Sequence, residues 1–557
     1  MRKNLILMLG ASSLLLLASC SKLGELSADN FTVTPNPLES QGGKVPATIN
    51  GVFPEKYMKR KATVTVTPEL RYAGGQSVQG QSASFQGEKV LGNDQTISYR
   101  VGGRYTMKTT FDYVPEMQKS ELYLTFDARI GSKKYDVPAV KVANGVIATS
   151  ELYRKTILSD GGVCAPDSFQ RIREQKQEAN IKFLINQATL RKSELKTGSV
   201  QEFVEMLKKI NADREGLNVR NVEVSAYASP DGGVSFNDRL ASQRQNVSEK
   251  YVREQLKSTK VDASVDAHYT AQDWDGFQQL VAASDIQDKD VILRVLSMYT
   301  DPEEREQQIR NMSAGFQELA DGILPELRRS RLTINYEVVG RSDEQIQAQY
   351  KEDPVKLSAD ELLYAATLTE DKAEQEDIYK TTSKLYDKDY RAYNNLAALA
   401  LAKGDKTRAK SYLLKALELD NNAAEAQANL GLIALTDGKV DEAEAYISKA
   451  SSAESVAPAI GLLNIAKGNY AQAESNFGKK ASVSAALAQL LNKDYEKAAR
   501  TLDNTLTQDG LNSYLHAIIS ARRGNKFAAS SYLKEALEKD SSLKSYSDND
   551  LELSLLK

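Results

Sequence analysis

The sequence predicts a multidomain protein with three kinds of folded region: a β-sandwich, an α+β sandwich with a helical insertion, and an all-α repeat solenoid. The chain has 557 residues, which is too long for one hydrophobic core. Short alternating runs of apolar and polar residues fill its first part, and strands alternate with helices in its middle. A period of 34 residues appears in its last part. These observations predict the three regions in that order.

The N-terminus has the features of an export signal. Arg2 and Lys3 precede an apolar core that is too short to span a bilayer and that ends in small residues before Cys20. This end resembles the lipobox of bacterial lipoproteins, and the resemblance implies that Cys20 is acylated. We therefore expect a signal peptide at residues 1–19, a tether at residues 20–29, and attachment to the outer membrane through the lipid. No cluster of acids follows Cys20, which favours the periplasmic side over the cell surface.

Composition excludes several classes of function. The only histidines are His268 and His516, and this small inventory argues against a histidine-dependent triad or a multi-histidine metal site. The 72 basic and 75 acidic residues create no basic field for nucleic acid. Apart from Cys20 the only cysteine is Cys164, so the mature protein cannot form an intramolecular disulfide. The sequence contains no cofactor motif and no paired-acid motif, and it predicts a binding protein rather than an enzyme.

Residues 30–160 predict a β-sandwich of immunoglobulin-like kind. Residues 62–67 alternate strictly, and Leu122, Leu124 and Phe126 lie on one side of another predicted strand. Proline residues and glycine pairs punctuate these runs as turns. Short strands at this spacing are typical of a sandwich. Because the region carries no chemical motif, we interpret it as a spacer or a module that docks a partner.

Residues 170–340 predict the α+β sandwich. The order strand, helix, strand, helix, strand, with a last strand at residues 332–338, puts helices on one face of a mixed sheet. Residues 270–327 are far longer than an ordinary connection, so they are expected to form a helical insertion. Trp274 is predicted to belong to the core of this insertion.

The α+β region resembles the OmpA-type C-terminal domain, whose best-known members bind the diaminopimelate side chain of peptidoglycan. The family pattern is an Asp that ends a strand, followed by Gly, Asn, Leu and Arg three, eight, eleven and fifteen residues later. The last four positions fall on Gly232, Asn237, Leu240 and Arg244. The Asp position falls on Ser229, and the nearest acid is Asp231. The resemblance implies a peptidoglycan site formed by Ser229, Asp231, Asn237 and Arg244; the alternative is that Arg244 only closes the corner between strand and helix.

A linker at residues 341–354 leads into the repeat region at residues 355–545, and residues 546–557 form a tail. Leu396 and Leu430 are 34 residues apart, as are Gly404 and Gly438. Thirty-four residues is the period of tetratricopeptide repeats, in which each helix pair packs against the next. The sequence predicts five or six repeats, of which the first is degenerate.

Tetratricopeptide arrays receive extended peptides or helices of partner proteins on their concave face. The candidates for holding a peptide backbone are Asn394, Asn395, Asn429 and Lys403. The alternative is that the array is a stiff spacer.

The combination of lipobox, OmpA-type region and repeats predicts a non-enzymatic outer-membrane lipoprotein scaffold that organises an envelope assembly. The repeats would bind an envelope protein, and the central region would contact peptidoglycan or a neighbouring protein. One alternative is a peptidoglycan anchor that links the outer membrane to the cell wall. Another is a surface-exposed component of a fimbrial or secretion apparatus.

Overall fold

The computed structural model describes residues 23–286, 289–311, 318–451, 453–506 and 508–556. The chain forms two compact units. Unit 1 contains residues 1–167 and 358–557, and unit 2 contains residues 168–357. Unit 2 is therefore inserted into the sequence of unit 1.

The first region of unit 1 consists of two mainly antiparallel sheets that enclose an apolar core. Residues 31–145 are all described, and their ten strands are β1 (Phe31–Thr34), β2 (Lys44–Phe53), β3 (Ala62–Tyr72), β4 (Gln76–Gln79), β5 (Ala83–Gly87), β6 (Gln95–Ile97), β7 (Gly103–Asp112), β8 (Ser120–Ile130), β9 (Lys133–Tyr135) and β10 (Val140–Gly145). One sheet has the order β1-β2-β7, and the other has the order β10-β8-β3-β5-β6 with β4 on β3 and β9 on β8. Ala62, Val64 and Val66 are fully buried, as are Leu122 and Leu124, because alternate residues of a strand face the same side. The predicted sheet-rich N-terminal region is confirmed.

Unit 2 contains a four-stranded mixed sheet covered by two long helices. Its strands are β11 (Ile172–Lys182), β12 (Leu217–Tyr227), β13 (Ser264–Thr270) and β14 (Arg329–Val339), in the order β11-β14-β12-β13. β12 and β13 are parallel, whereas β14 is antiparallel to both of its neighbours. The helices are α2 (Gly198–Ala212) and α3 (Val234–Thr259). Phe203 and Leu207 from α2 and Val252 from α3 pack against Val222 and Val224 of the central strand.

Short helices fill the connection between β13 and β14 and have an apolar core of their own. Within the described residues they are α4 (Trp274–Ala283), α5 (Lys289–Met298), α6 (Pro302–Arg310) and α7 (Leu324–Leu327). Phe277, Val281 and Ile292 are fully buried in this core, and Trp274 packs against it. One further helix, α8 (Asp343–Glu352), follows β14.

The second region of unit 1 is an array of antiparallel helix pairs. Within the described parts of residues 359–539 the helices are α9 (Ala359–Ala365) with α10 (Lys372–Leu385), α11 (Tyr390–Ala402) with α12 (Lys406–Leu419), α13 (Ala424–Thr436) with α14 (Val440–Ala450), α15 (Ala457–Ala466) with α16 (Tyr470–Phe477), α17 (Val483–Leu491) with α18 (Tyr495–Asp503), and α19 (Gly510–Arg522) with α20 (Lys526–Lys539). Small residues such as Ala409, Ala443 and Ala498 are completely buried where second helices meet first helices. A last short helix, α21 (Leu543–Ser547), ends the array, and Leu553 beyond it is fully buried.

The turns inside the second to sixth helix pairs each contain a residue in the left-handed backbone conformation. Gly404, Gly438, Gly468 and Gly524 have φ values between 74° and 79°. In the fifth pair the same turn is made by Lys493 with φ of 68°, a conformation that is unfavourable for a residue with a Cβ atom. The repeat geometry therefore overrides the local preference of this lysine.

Candidate functional site

The face of the array formed by first helices is filled by the chain's own residues. We call this face, made by α11, α13, α15, α17 and α19, the inner groove. Helix α1 (Tyr153–Asp160) packs against all five of these helices, and an extended stretch continues from it to Asp167. We call residues 152–167 the groove segment. The predicted sandwich region ends at residue 160, whereas the last strand of its sheets ends at Gly145 and Tyr153–Asp160 is a helix in the inner groove.

Three buried asparagine side chains hold the extended half of the groove segment by its backbone. The amide of Val163 donates to Oδ1 of Asn429 at 2.7 Å, and its carbonyl accepts from Nδ2 of Asn429 at 2.8 Å and of Asn394 at 2.9 Å. The amide of Ala165 donates to Oδ1 of Asn395 at 2.7 Å, and its carbonyl accepts from Nδ2 of the same side chain at 3.3 Å. All three asparagines are at most 2% exposed. Asn394, Asn395 and Asn429, predicted to hold a peptide backbone, do so for this segment.

The asparagines support one another as well as the segment. Nδ2 of Asn429 donates to Oδ1 of Asn394 at 2.9 Å, and Nδ2 of Asn394 donates to Oδ1 of Asn395 at 3.1 Å. This chain of amides fixes which atom of each side chain accepts and which donates. Lys403, the fourth candidate, is exposed at the end of α11 and pairs with Glu376 of α10.

The two glycines in the groove segment let its backbone approach α11 closely. A Cβ atom on Gly162 would lie 2.8 Å from Cα of Ala398 and 2.7 Å from Oδ1 of Asn429. Gly161 has φ of 79°, and a Cβ atom there would lie 3.2 Å from Cβ of Ala402. Gly162 therefore excludes a side chain because the helix backbone is too close. Gly161 excludes one because of its positive φ and its close contact with Ala402.

The helical half of the groove segment is fixed by polar contacts at the start of α17. The carboxylate of Asp160 accepts from the amides of Val483 and Ser484 at 2.9 and 2.8 Å. These are first-turn amides, which have no partner within their own helix. The hydroxyls of Thr156 and Ser484 are 2.9 Å apart, and both residues are buried.

Apolar burial joins the groove segment to the core of the array. Leu152, Tyr153 and Ile157 are at most 2% exposed and belong to the same apolar cluster as the repeat helices. Val163 and Ala165 are buried, whereas Cys164 between them is exposed, as expected for an extended stretch with one face against the groove. The groove segment is thus part of the core of unit 1.

Arg391 of α11 fastens the points at which the chain leaves and re-enters unit 1. Its guanidinium donates to the carbonyl of Asp167 at 2.8 Å and to the carboxylate of Asp360 at 2.7 Å. It also pairs with Asp389 at 2.7 Å. The hydrogen bonds to Asp389 and Asp360 raise the pKa of Arg391 above its usual value, so the guanidinium stays charged.

In unit 2, the Arg244 side chain is only 1% exposed and is bound by main-chain oxygens. Its guanidinium donates to the carbonyls of Tyr227 at 2.8 Å, Gln187 at 3.1 Å and Leu184 at 3.3 Å, and it lies 5.1 Å from the ring centre of Phe183. Burial lowers the pKa of Arg244 to about 10, and the nearby charge of Arg328 adds to the effect. Each nitrogen of this guanidinium is thus engaged at the corner between β11, β12 and α3.

Asp231 pairs with a different arginine. Its carboxylate accepts from Arg328 at 2.9 Å and also from the hydroxyl of Ser229, and Arg328 lies 3.3 Å from that hydroxyl. Nδ2 of Asn237 donates to the carbonyls of Ser229 at 3.0 Å and Gly232 at 2.9 Å, which holds the turn before α3. The side chains of Asp231 and Arg328 are 18% and 12% exposed. Ser229, Asp231 and Asn237 therefore meet at one turn, with Arg328 rather than Arg244 as the partner of the acid.

The two histidines and the other potential metal ligands are spread over the described parts of the chain. His268 lies on β13 with Nε2 2.8 Å from the hydroxyl of Ser225. His516 stacks on Tyr532 at 4.8 Å, and burial lowers the pKa of this histidine. Among the described residues, no cluster of three potential metal ligands occurs, and no helix combines the length and apolar content needed to cross a bilayer. Cys20, predicted to carry the lipid, lies outside the described residues.

Comparisons with known proteins match the helical array. A family model of the tetratricopeptide repeat matches residues 390–422 and 424–455, which correspond to the second and third helix pairs. No curated protein matches the chain.

Three solved structures of helical repeat proteins show distant likeness to this chain. A tetratricopeptide repeat protein from Parabacteroides merdae aligns with 45% of this chain and 98% of its own, at 15% identity and a TM-score of 0.27. PilF of Pseudomonas aeruginosa aligns with 39% of this chain and 98% of its own, at 16% identity and a TM-score of 0.24. PilW, described as a type IV pilus biogenesis factor, aligns with 35% of this chain and 96% of its own, at 17% identity and a TM-score of 0.24. Such low scores carry no functional conclusion. The family match and the 34-residue period identify the C-terminal region of this chain as tetratricopeptide repeats.

Proposed function

We propose that this protein is a non-enzymatic, lipid-anchored scaffold of the outer membrane that organises an envelope assembly through its tetratricopeptide repeats. The observation that carries the proposal is the inner groove, whose asparagines Asn394, Asn395 and Asn429 bind a polypeptide backbone without reading its side chains. Such a clamp recognises protein segments. The lipobox-like end at Cys20 supports export and attachment to a membrane.

Crosslinking in intact envelopes tests this function. The full-length acylated protein is expected to capture a specific envelope protein. A Cys20→Ser variant cannot be acylated, so it is expected to lose its attachment to the membrane and to capture no such protein. Recovery of no protein by the acylated form contradicts the scaffold function. Protease digestion of whole cells tests the periplasmic location, because a surface-exposed chain would be degraded.

A peptidoglycan anchor is the second candidate, and the acid–base pair in unit 2 favours it. The mixed sheet with helices on one face and the positions of Gly232, Asn237 and Arg244 agree with an OmpA-type domain. A zwitterionic amino-acid head needs one anionic and one cationic partner. Asp231 and Arg328 lie side by side and are partly exposed, whereas Arg244 is buried among carbonyls. We infer that Arg328 supplies the cation if this domain binds the cell wall.

Sedimentation with purified peptidoglycan tests the second candidate. The soluble chain should sediment with the wall, and Arg328→Met should abolish sedimentation while leaving the fold intact. Arg310→Met is the matched control, because Arg310 also lies beside this turn, where it donates to the main-chain carbonyl of Asp231 at 2.7 Å. Sedimentation that survives Arg328→Met rules out this pair as the ligand clamp.

A further inference from the structure

The inner groove is occupied before any partner arrives. The groove segment covers α11 and α13 with its extended half and reaches α17 and α19 with its helical half. Its covalent connection to the β-sheets of unit 1 keeps it next to the groove. A ligand tethered in this way is present at an effective concentration on the order of millimolar. An external segment must therefore compete with an internal one.

The contacts of the groove segment define which ligands the groove accepts. A carboxylate at the end of a short helix meets free amides at the start of α17, as Asp160 does. The next two residues must lack side chains, because Gly161 and Gly162 touch α11. Two inward positions then hold small apolar side chains, here Val163 and Ala165, while the position between them is unrestricted.

We propose that residues 152–167 are an internal competitor that closes the inner groove, and that the partner which opens it carries the same design. That partner segment is a short helix ending in an acid, followed by two glycines and an extended run with small apolar residues at alternate positions. This proposal rests on the scaffold function proposed above and adds its regulation and the chemical class of its partner.

Competition with a synthetic peptide tests the proposal on the soluble full chain. The probe is a fluorescently labelled peptide with the sequence of residues 150–167, and its binding is measured by anisotropy. Wild-type protein is expected to bind it weakly. Gly162→Ala inserts a methyl group against the backbone of Ala398. This weakens the binding of the internal segment to the inner groove but leaves the binding of the probe unchanged. The affinity for the probe is therefore expected to rise by about tenfold or more.

The matched control is Gly198→Ala, where an added Cβ atom meets nothing within 4 Å. It should leave probe binding at the wild-type level. In the Gly162→Ala background, Asn429→Ala should abolish the gain, because it removes two hydrogen bonds to the probe backbone. A probe with Asp in place of Val163 should fail to bind, since this position is buried.

Hydrogen exchange supplies a second measurement on the same proteins. The amides of Val163 and Ala165 are expected to be protected in the wild type and to exchange faster in Gly162→Ala. Equal probe affinity for the wild type and a folded Gly162→Ala variant overturns the proposal, as does unchanged protection of these amides.

Envelope crosslinking separates this proposal from the scaffold function. If Gly162→Ala captures more of the partner than the wild type, both stand. If capture is the same for both proteins, the scaffold function stands and the inner groove is not its docking site.

Discussion

Replacing Arg244 by methionine separates a structural arginine from one that binds a ligand. The side chain is 1% exposed and donates to the carbonyls of Leu184, Gln187 and Tyr227. Methionine fills a similar volume but donates no hydrogen bond. The substitution therefore removes three hydrogen bonds that a charged donor makes to main-chain oxygens.

Two opposing terms set the size of the effect. A hydrogen bond from a charged donor contributes about 1.5–3 kcal/mol, so the loss of three such bonds is about 4.5–9 kcal/mol in all. Removing the guanidinium also removes the cost of burying its charge. A pKa lowered from 12.5 to about 10 corresponds to a cost of about 3 kcal/mol. The net destabilisation of unit 2 is expected to be about 3 kcal/mol, near the middle of the resulting range.

Calorimetry of the soluble chain measures this loss. For a unit of this size, about 3 kcal/mol lowers the melting temperature by about 6–12 °C. Arg253→Met is the control on the same helix, because Arg253 is exposed and pairs with Glu249 at the surface, and it should cost less than about 0.5 kcal/mol. An unchanged melting temperature for Arg244→Met, together with lost sedimentation on peptidoglycan, would refute the structural role.

Three further predictions concern unit 1. Asn429→Ala should destabilise it by about 1–3 kcal/mol, because both polar groups of Val163 lose a partner, whereas exposed Asn422→Ala should have no effect in the same calorimetry. Burial raises the pKa of Asp550 to about 6, above the usual 3.8, so the folded state binds this proton more tightly and stability should increase as pH falls from about 7 to 4. Asp550→Asn should remove this pH dependence and stabilise the protein by up to about 3 kcal/mol near pH 7.5, and identical urea midpoints for both proteins there would contradict the assignment. Replacing residues 168–357 by a short Gly/Ser linker should leave unit 1 folded, because Arg391 binds both junctions, and loss of its melting transition would disprove this.

The repeats could be predicted from the sequence because their signal is periodic. A spacing of 34 residues reports that each helix pair meets the same neighbours, so buried residues such as Ala409 and Ala443 recur in register. The asparagines of α11 and α13 could also be proposed, since amides on a first helix face the groove. What fills the groove could not be predicted, because residues 152–167 have no periodic pattern and lie more than two hundred residues before Asn395 in sequence.

The same limit applied in unit 2. The spacing from Gly232 to Arg244 placed these residues on one turn and one helix, which local geometry determines. Whether Arg244 met a carboxylate, a ligand or carbonyls depended on the loop after β11 and on β12, which approach it from elsewhere in the chain. The pairing of Asp231 with Arg328 joins residues 97 apart in sequence.

The sequence by itself determined the order of regions, two strands of the N-terminal sheets and the repeat helices, because alternation and periodicity show locally which side of an element is buried. Only the tertiary structure decided that unit 2 is inserted into unit 1, that the groove receives residues 152–167, and that Arg244 binds main-chain oxygens. Those outcomes depend on hydrogen bonds and close contacts between residues far apart in the chain, and such contacts leave no regular pattern in the order of amino acids.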